Sequence, residues 1–324
     1  MGRTSAVASS IPPPLLGDLC ELEAQGLLMA RSTPAIDRQL ARLASDGLLV
    51  SPHPGLFARA DHWACLSPCD RNMTLARSLA RMHASWVFSH QTAALFYGLP
   101  VSYSCLEKVH YTTTRRGGSK DSGLTCHHQA KAAEWRMIGG VKVSSPERMA
   151  YDCARTLGFA NALVVMDGAL HSGLLTREKL ERYLAWHSGG RGMRQARQVL
   201  EAADGRAESG AESIARATII ALGVPIHDLQ LVVADLERPG KTYRLDIVLR
   251  RPDGILVDVE VDGRQKYELM ANAHGDGTVA AMMAERQREA AITAHGILVA
   301  RISASDAGSR EVMGRKLRAY GVIP

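Results

Sequence analysis

Apolar and polar positions alternate strictly along Val257-Asp258-Val259-Glu260-Val261-Asp262, just before Gly263. Period two is the period of a β-strand, so the valines share one face and Asp258, Glu260 and Asp262 share the other. A second strand-like run, Tyr243–Leu249, precedes it and is joined to it through Arg250-Arg251-Pro252-Asp253-Gly254. Pro-Asp-Gly suits a three-residue hairpin loop, with proline presetting the first turn position and glycine taking the left-handed one. Asp246 and Glu260 each lie seven residues from Asp253. A hairpin folded there sets them opposite one another, side chains roughly 5 Å apart. At an effective dielectric of about 20, two such charges repel by about 3 kcal/mol. The cluster is therefore protonated, paired with basic groups such as Arg244 or Arg264, or neutralised by a divalent cation; a polar face open to water is the plainer alternative.

Elsewhere the apolar period is helical. Leu15 to Gln25 reads as a helix broken by Gly26, and Ser32-Thr33-Pro34 opens a second one, with a cap residue ahead of a first-turn proline. Ile36, Leu40 and Leu43 face a core, while Arg38 and Arg42 lie on the opposite side. Leu48-Leu49-Val50, a turn at residues 51–55 and Leu56–Arg59 then predict a hairpin. Helix, helix, hairpin is the order of a winged helix-turn-helix, whose second helix enters the DNA major groove while the wing touches phosphate. Arg31, Arg38, Arg42 and Arg59 are the candidate DNA contacts; a small helical cap unrelated to DNA is the alternative.

Residues 72–205 read as mixed. Helices are expected at Thr74–Ser85, Ser89–Pro100, Pro146–Leu157, Ala160–Ser172 and Thr176–Trp186, with strands at Lys108–Thr113 and Gly140–Val143. His90 and His171 carry no assigned chemistry. Beyond Asp204-Gly205, Ser209-Gly210-Ala211-Glu212 has capping-box spacing and opens a helix to Gly223. A strand at Leu229–Ala234, the acidic hairpin, a helix over Thr278–His295, a strand at Ile297–Ile302 and a last helix after Ser305 complete an α/β module. Three domains are expected, at 1–75, 76–205 and 206–324.

Length and composition agree with this division, since 324 residues exceed one ordinary core. No apolar run reaches the roughly 18 residues of a membrane span, and the N-terminus lacks a signal-peptide core, so a cytoplasmic protein is expected. Six scattered cysteines show no paired CxxC spacing, which predicts free thiols. Cys126-His127-His128 is a conceivable metal fragment, although such clusters are more often ordinary residues. The net charge is +6, and residues 1–150 hold 16 Lys/Arg against 11 Asp/Glu, so the front half is the better phosphate-facing surface.

The C-terminal order, with these acids in these places, resembles the PD-(D/E)XK nuclease superfamily, and within it small domains similar to very-short-patch-repair endonucleases. The resemblance covers about residues 206–324. It rests on Glu212–Arg216, Arg244–Val248, Val259–Tyr267, Glu285–Arg288 and Gly296–Arg301 taken together. It implies that Asp246 and Glu260 bind metal, with the Val261 carbonyl as a further ligand and Glu212 reaching in from the first helix. The ion implied is Mg²⁺, or Mn²⁺, which would polarise the scissile phosphate and activate a water. Where the superfamily pattern has lysine, two places after the second acid, this chain has Asp262; Lys266 or Arg288 could supply the missing positive charge.

The front half is similar to the AbiEi-type antitoxin and transcriptional-regulator family of type IV toxin–antitoxin systems. This rests on residues 15–60, Ser89–Pro100, Val143–Ala154 and Asp167–Leu175. It implies a winged helix that represses its own operon, and a cognate toxin as partner. Two functions stay open: a DNA-directed, Mg²⁺-dependent phosphodiesterase, or an antitoxin-like autoregulator whose nuclease fold is a scaffold or nucleic-acid grip.

Overall fold

The structure, a computed structural model, describes residues 11–114, 123–130, 134–187, 189–262 and 276–324, with the backbone alone for 276–281. The chain divides into two compact units, Met1–Cys153 and Ala154–Pro324.

The first unit begins with helix α1 (Pro13–Ala24), which has proline in its first turn and ends where Gly26 takes φ +66. A two-residue strand β1 (Met29–Ala30) leads to α2 (Pro34–Ser45), whose Thr33 cap accepts a hydrogen bond from the Ile36 N–H. Strands β2 (Leu49–His53) and β3 (Leu56–Arg59) form the expected hairpin. All three strands pair in the order β1-β3-β2. Leu15, Leu19, Leu40, Leu43, Leu49 and Phe57 bury together beneath them, so the apolar faces of both helices and the hairpin share one core.

A short helix, α3 (Ala60–Cys65), and a longer one, α4 (Pro68–Met82), follow. The second starts earlier than its hydrophobic period predicts. Ser67 caps it by accepting from the Asp70 N–H, and Pro68 sits in the first turn. Next come β4 (Val87–Phe88), α5 (His90–Phe96), β5 (Val109–Thr113), β6 (Thr125–Gln129), β7 (Trp135–Ile138) and β8 (Val141–Ser144). They make a five-stranded sheet of order β6-β5-β4-β8-β7, in which β5 and β6, and β4 and β8, run parallel. Helix α6 (Pro146–Thr156) contains the boundary between the units.

The second unit opens with α7 (Phe159–His171), α8 (Arg177–Trp186) and α9 (Met193–Ala202). Helix α10 (Gly210–Ala221) then begins at the predicted Ser209 cap. The remaining elements are β9 (Ile226–Ala234), β10 (Thr242–Arg250), β11 (Leu256–Asp262), α11 (Asp276–Thr293), β12 (Leu298–Ser303) and α12 (Arg310–Ala319). The sheet order is β12-β11-β10-β9, antiparallel from β9 to β11 and parallel between β11 and β12. Val257, Val259, Ile247 and Leu249 bury in one cluster with Ala215 and Ile219 of α10 and Met313 and Leu317 of α12. Leu245 and Val248 bury in a second cluster with Ile292 of α11. This compact unit takes in α7 to α9 together with α10 and the sheet. A buried ion pair joins them: Arg216 of α10 donates to Asp167 of α7 at 2.5 Å, and both side chains are almost fully enclosed.

Candidate functional site

The acidic hairpin folds in the predicted register. Gly254, at φ +92, closes the loop with its N–H on the Arg251 carbonyl, and the Arg251 N–H donates to the Ile255 carbonyl. Ile247 then pairs with Val259 and Val248 with Asp258. The same register carries Asp246 to Glu260, and the Val261 N–H donates to Asp246 Oδ2 at 3.4 Å.

Glu212 approaches from α10. Its position is set by the capping box: its N–H donates to Ser209 Oγ, and the Ser209 hydroxyl donates back to Glu212 Oε1 at 2.8 Å. The Glu208 N–H and Gln230 Nε2 occupy Oε2. The cap and the convergence on the hairpin are thus one arrangement, because the Glu212 charge is felt directly by Asp246. Burial first, and then Glu212, push the Asp246 carboxyl up to about 6, with Glu260 adding to the rise. The Val261 N–H and Arg288 oppose it.

Asp258 was the least conspicuous acid in the sequence and is the most deeply placed. It is fully buried, and neither oxygen has a hydrogen-bond partner. Burial, then the charges of Glu260 and Asp246, push its carboxyl far above the ordinary range. A carboxyl raised so far keeps its proton at neutral pH, which removes one charge from the crowd. Glu260, 3% exposed, is bonded to Arg288 of α11, whose second nitrogen donates to the Arg244 carbonyl at 2.8 Å. Arg301 of β12 stands 3.8 Å from the other Glu260 oxygen and is bonded to Glu285. Burial works against the charge of Arg288, but the facing Glu260 outweighs it. Two of the three ways to relieve like charges, protonation and pairing with arginine, are therefore present together.

Asp262 ends β11, and its carbonyl accepts the Ala304 N–H. Lys266 lies outside the described residues. The oxygen donors suit a hard cation such as Mg²⁺. Their arrangement is that of a paired cluster, with Arg288 on Glu260. Among the described residues, no three acids bring one oxygen each within 4.8 Å of one another.

Arg31, Arg38 and Arg42 are exposed. Arg38 and Arg42 lie on the side of α2 away from Leu40 and Leu43, and the Arg31 side chain packs near Gly55 at the hairpin turn. Arg59 differs. Its guanidinium donates to the buried Glu23 at 2.8 Å, its N–H bonds the other Glu23 oxygen, and Asp61 lies 3.6 Å away.

Residues 88–202 match the AbiEi antitoxin C-terminal domain family. That segment runs from β4 to the end of α9. Two uncharacterized proteins, from two strains of Mycobacterium tuberculosis, are each 36% identical to the chain over 119 residues. The shared stretch is 37% of this chain and 43% of each relative, so the chain spans less than half the length of the curated relatives it matches. Among the described residues, no helix is long and apolar enough to cross a membrane.

Proposed function

We propose that this protein is a DNA-binding regulator of the antitoxin type, and the match of residues 88–202 to the AbiEi antitoxin C-terminal domain carries that reading. Residues 1–75 act as a winged helix-turn-helix on the promoter of the protein's own operon, in the cytoplasm. Residues 76–205 meet a cognate toxin, and residues 206–324 form a PD-(D/E)XK-like module that serves as scaffold or nucleic-acid grip. The helix, helix, hairpin order and the exposure of Arg31, Arg38 and Arg42 support the DNA-binding part. Arg59 steadies the hairpin through Glu23 and contributes little to phosphate, its charge being already balanced.

Fluorescence anisotropy on duplex promoter DNA over a range of salt tests this. Each arginine on phosphate steepens the fall of log affinity with log salt by about 0.9, so Arg38→Ala with Arg42→Ala reduces the slope by about 2. An absence of binding by the wild-type chain even at low salt overturns the proposal.

A second reading is a Mg²⁺-binding nuclease-type module. It is favoured by the strand and helix order from α10 to β12, by the charges of Glu212 and Glu260 acting on Asp246, and by the buried Asp258 carboxyl beside Glu260 and Asp246. Glu212, Asp246, Glu260 and the Val261 carbonyl would hold the ion, which when bound would polarise a phosphate and activate a water. Asp262 stands where lysine is usual, so Arg288 would supply the positive charge. Glu260 must first release Arg288 to take a cation, and for that reason the regulator reading comes first.

A further inference from the structure

We propose that His90, His110 and His128 form a binding site for a first-row transition-metal ion of the zinc class, inside the five-stranded-sheet region and separate from the acidic hairpin. The three come from different elements. In the parallel β5–β6 pair, His110 lies opposite Cys126 and Thr112 opposite His128, so His110 and His128 share one face by strand alternation. The turn from β4 into α5 carries His90 over that face, fixed by the Ser89 N–H on the His110 carbonyl at 2.9 Å. His90 takes φ +54, a left-handed conformation uncommon for a non-glycine residue.

The rings are packed as a group. His90 stacks on His128 with centroids 3.7 Å apart, His110 lies 5.1 Å from His128, and one nitrogen of each ring lies within 4.8 Å of one from each of the others. In a tetrahedral site with metal–nitrogen bonds of about 2.0–2.1 Å, ligand nitrogens sit roughly 3.4 Å apart. His110 Nδ1 and His128 Nε2 are 2.9 Å apart, so those two rings need shift little, while His90 slides out of its stack on His128 to aim a nitrogen at the same point.

The hydrogen bonds define the protonation state. Gln91 Nε2 donates to the Cys105 carbonyl at 3.0 Å, which fixes the amide nitrogen as the group facing His110 Nε2 at 2.8 Å. That ring nitrogen therefore accepts, and His110 Nδ1–H donates to His128 Nε2. Neutral imidazole is the form that ligates a metal. A metal on Nδ1 moves the His110 proton to Nε2, where it needs an acceptor. Gln91 Oε1, on the same amide, is buried and without a hydrogen-bond partner, and it reaches that proton only if the amide turns over and gives up its Nε2 bond to the Cys105 carbonyl. A ligating histidine characteristically has such a carbonyl behind it. On the other ring, Ser89 Oγ holds His90 Nδ1 at 3.0 Å. Three nitrogen donors select Zn²⁺, Co²⁺ or Ni²⁺ over Mg²⁺ and leave a fourth position for another donor.

The test is a Zn²⁺ titration by calorimetry of the chelator-stripped full chain in a millimolar excess of Mg²⁺, with Co²⁺ as a spectroscopic substitute. One ion per chain is expected, with visible cobalt bands of tetrahedral intensity and no near-ultraviolet thiolate band. His110→Gln and His128→Gln should each weaken binding at least about 100-fold, since losing an outer-shell partner alone costs about 10–100-fold. His127→Gln, whose ring nitrogen meets Thr113 instead, should leave affinity unchanged. No saturable site, unchanged affinity in His128→Gln, or a thiolate band each overturn the proposal. Should the variants fail to fold, the cobalt spectrum of the wild type decides it.

Discussion

Replacing Asp246 with asparagine separates the electrostatic account of the hairpin from a purely steric one. The Asp246 carboxyl rises from 3.8 to about 6, first by burial and then by Glu212. The folded state therefore holds its proton more tightly than the unfolded chain does. Linkage then makes stability greatest below about pH 4, falling as pH rises towards 6 and level above that. The rise is worth about 3 kcal/mol, an upper figure because the carboxyl keeps some solvent contact. Asparagine preserves the shape and an oxygen for the Val261 N–H but carries no charge. Asp246→Asn should match wild type at pH 4 and exceed it by about 1–3 kcal/mol at pH 8.

Hydrogen exchange read on β10 and β11 peptides, with chelator present and corrected for the intrinsic pH dependence of exchange, reports the local opening free energy. Asp258 shifts in the same direction and remains in both proteins, so only the difference between the two pH profiles is diagnostic. A difference constant from pH 4 to 8, or a variant less stable at pH 8, refutes the reasoning. Either result would mean that Asp246 contributes through its hydrogen bond and packing and that the acids do not strain one another.

The buried pair of Arg216 and Asp167 gives a second expectation. Arg216→Ala leaves an enclosed carboxylate with the Asp204 N–H and the Ser213 hydroxyl but no balancing charge, so urea unfolding of the second unit should lose about 3–5 kcal/mol. The nuclease-type reading predicts that calorimetry with Mg²⁺ or Mn²⁺ finds a filled site in wild type and none in an Asp246→Ala/Glu260→Ala double variant. Absence of heat in the wild type would remove that reading and leave the antitoxin-type one untouched.

What the sequence disclosed follows from how local each determinant is. The hairpin register was legible because Pro252-Asp253-Gly254 sets the turn and alternation does the rest, and the caps at Thr33 and Ser209 act within three residues of themselves. Helix α9 was not, since Gly192 at its start offers no side-chain cap. Strand β6, Thr-Cys-His-His-Gln, has no apolar alternation, and β4 is two residues long. The pairing of Glu260 with Arg288, 28 residues apart, depends on where α11 lies against the sheet, and no spacing rule encodes that.

The histidine trio is the extreme case. His127 and His128 are adjacent in sequence, which draws the eye to Cys126-His127-His128 as one fragment. Strand alternation then sends His127 to the opposite face, towards Tyr111 and Thr113, and leaves His128 to meet residues 18 and 38 positions earlier. A metal motif read along the chain therefore includes His127, which faces away, and misses His110, whereas one read across the β5–β6 register names His110 first. His90 requires one further fact, the left-handed turn between β4 and α5, which periodicity does not predict. Each step of the site thus depends on a pairing that exists only after the sheet has formed, and for that reason the acids of a single hairpin stood out in the sequence while these three imidazoles did not.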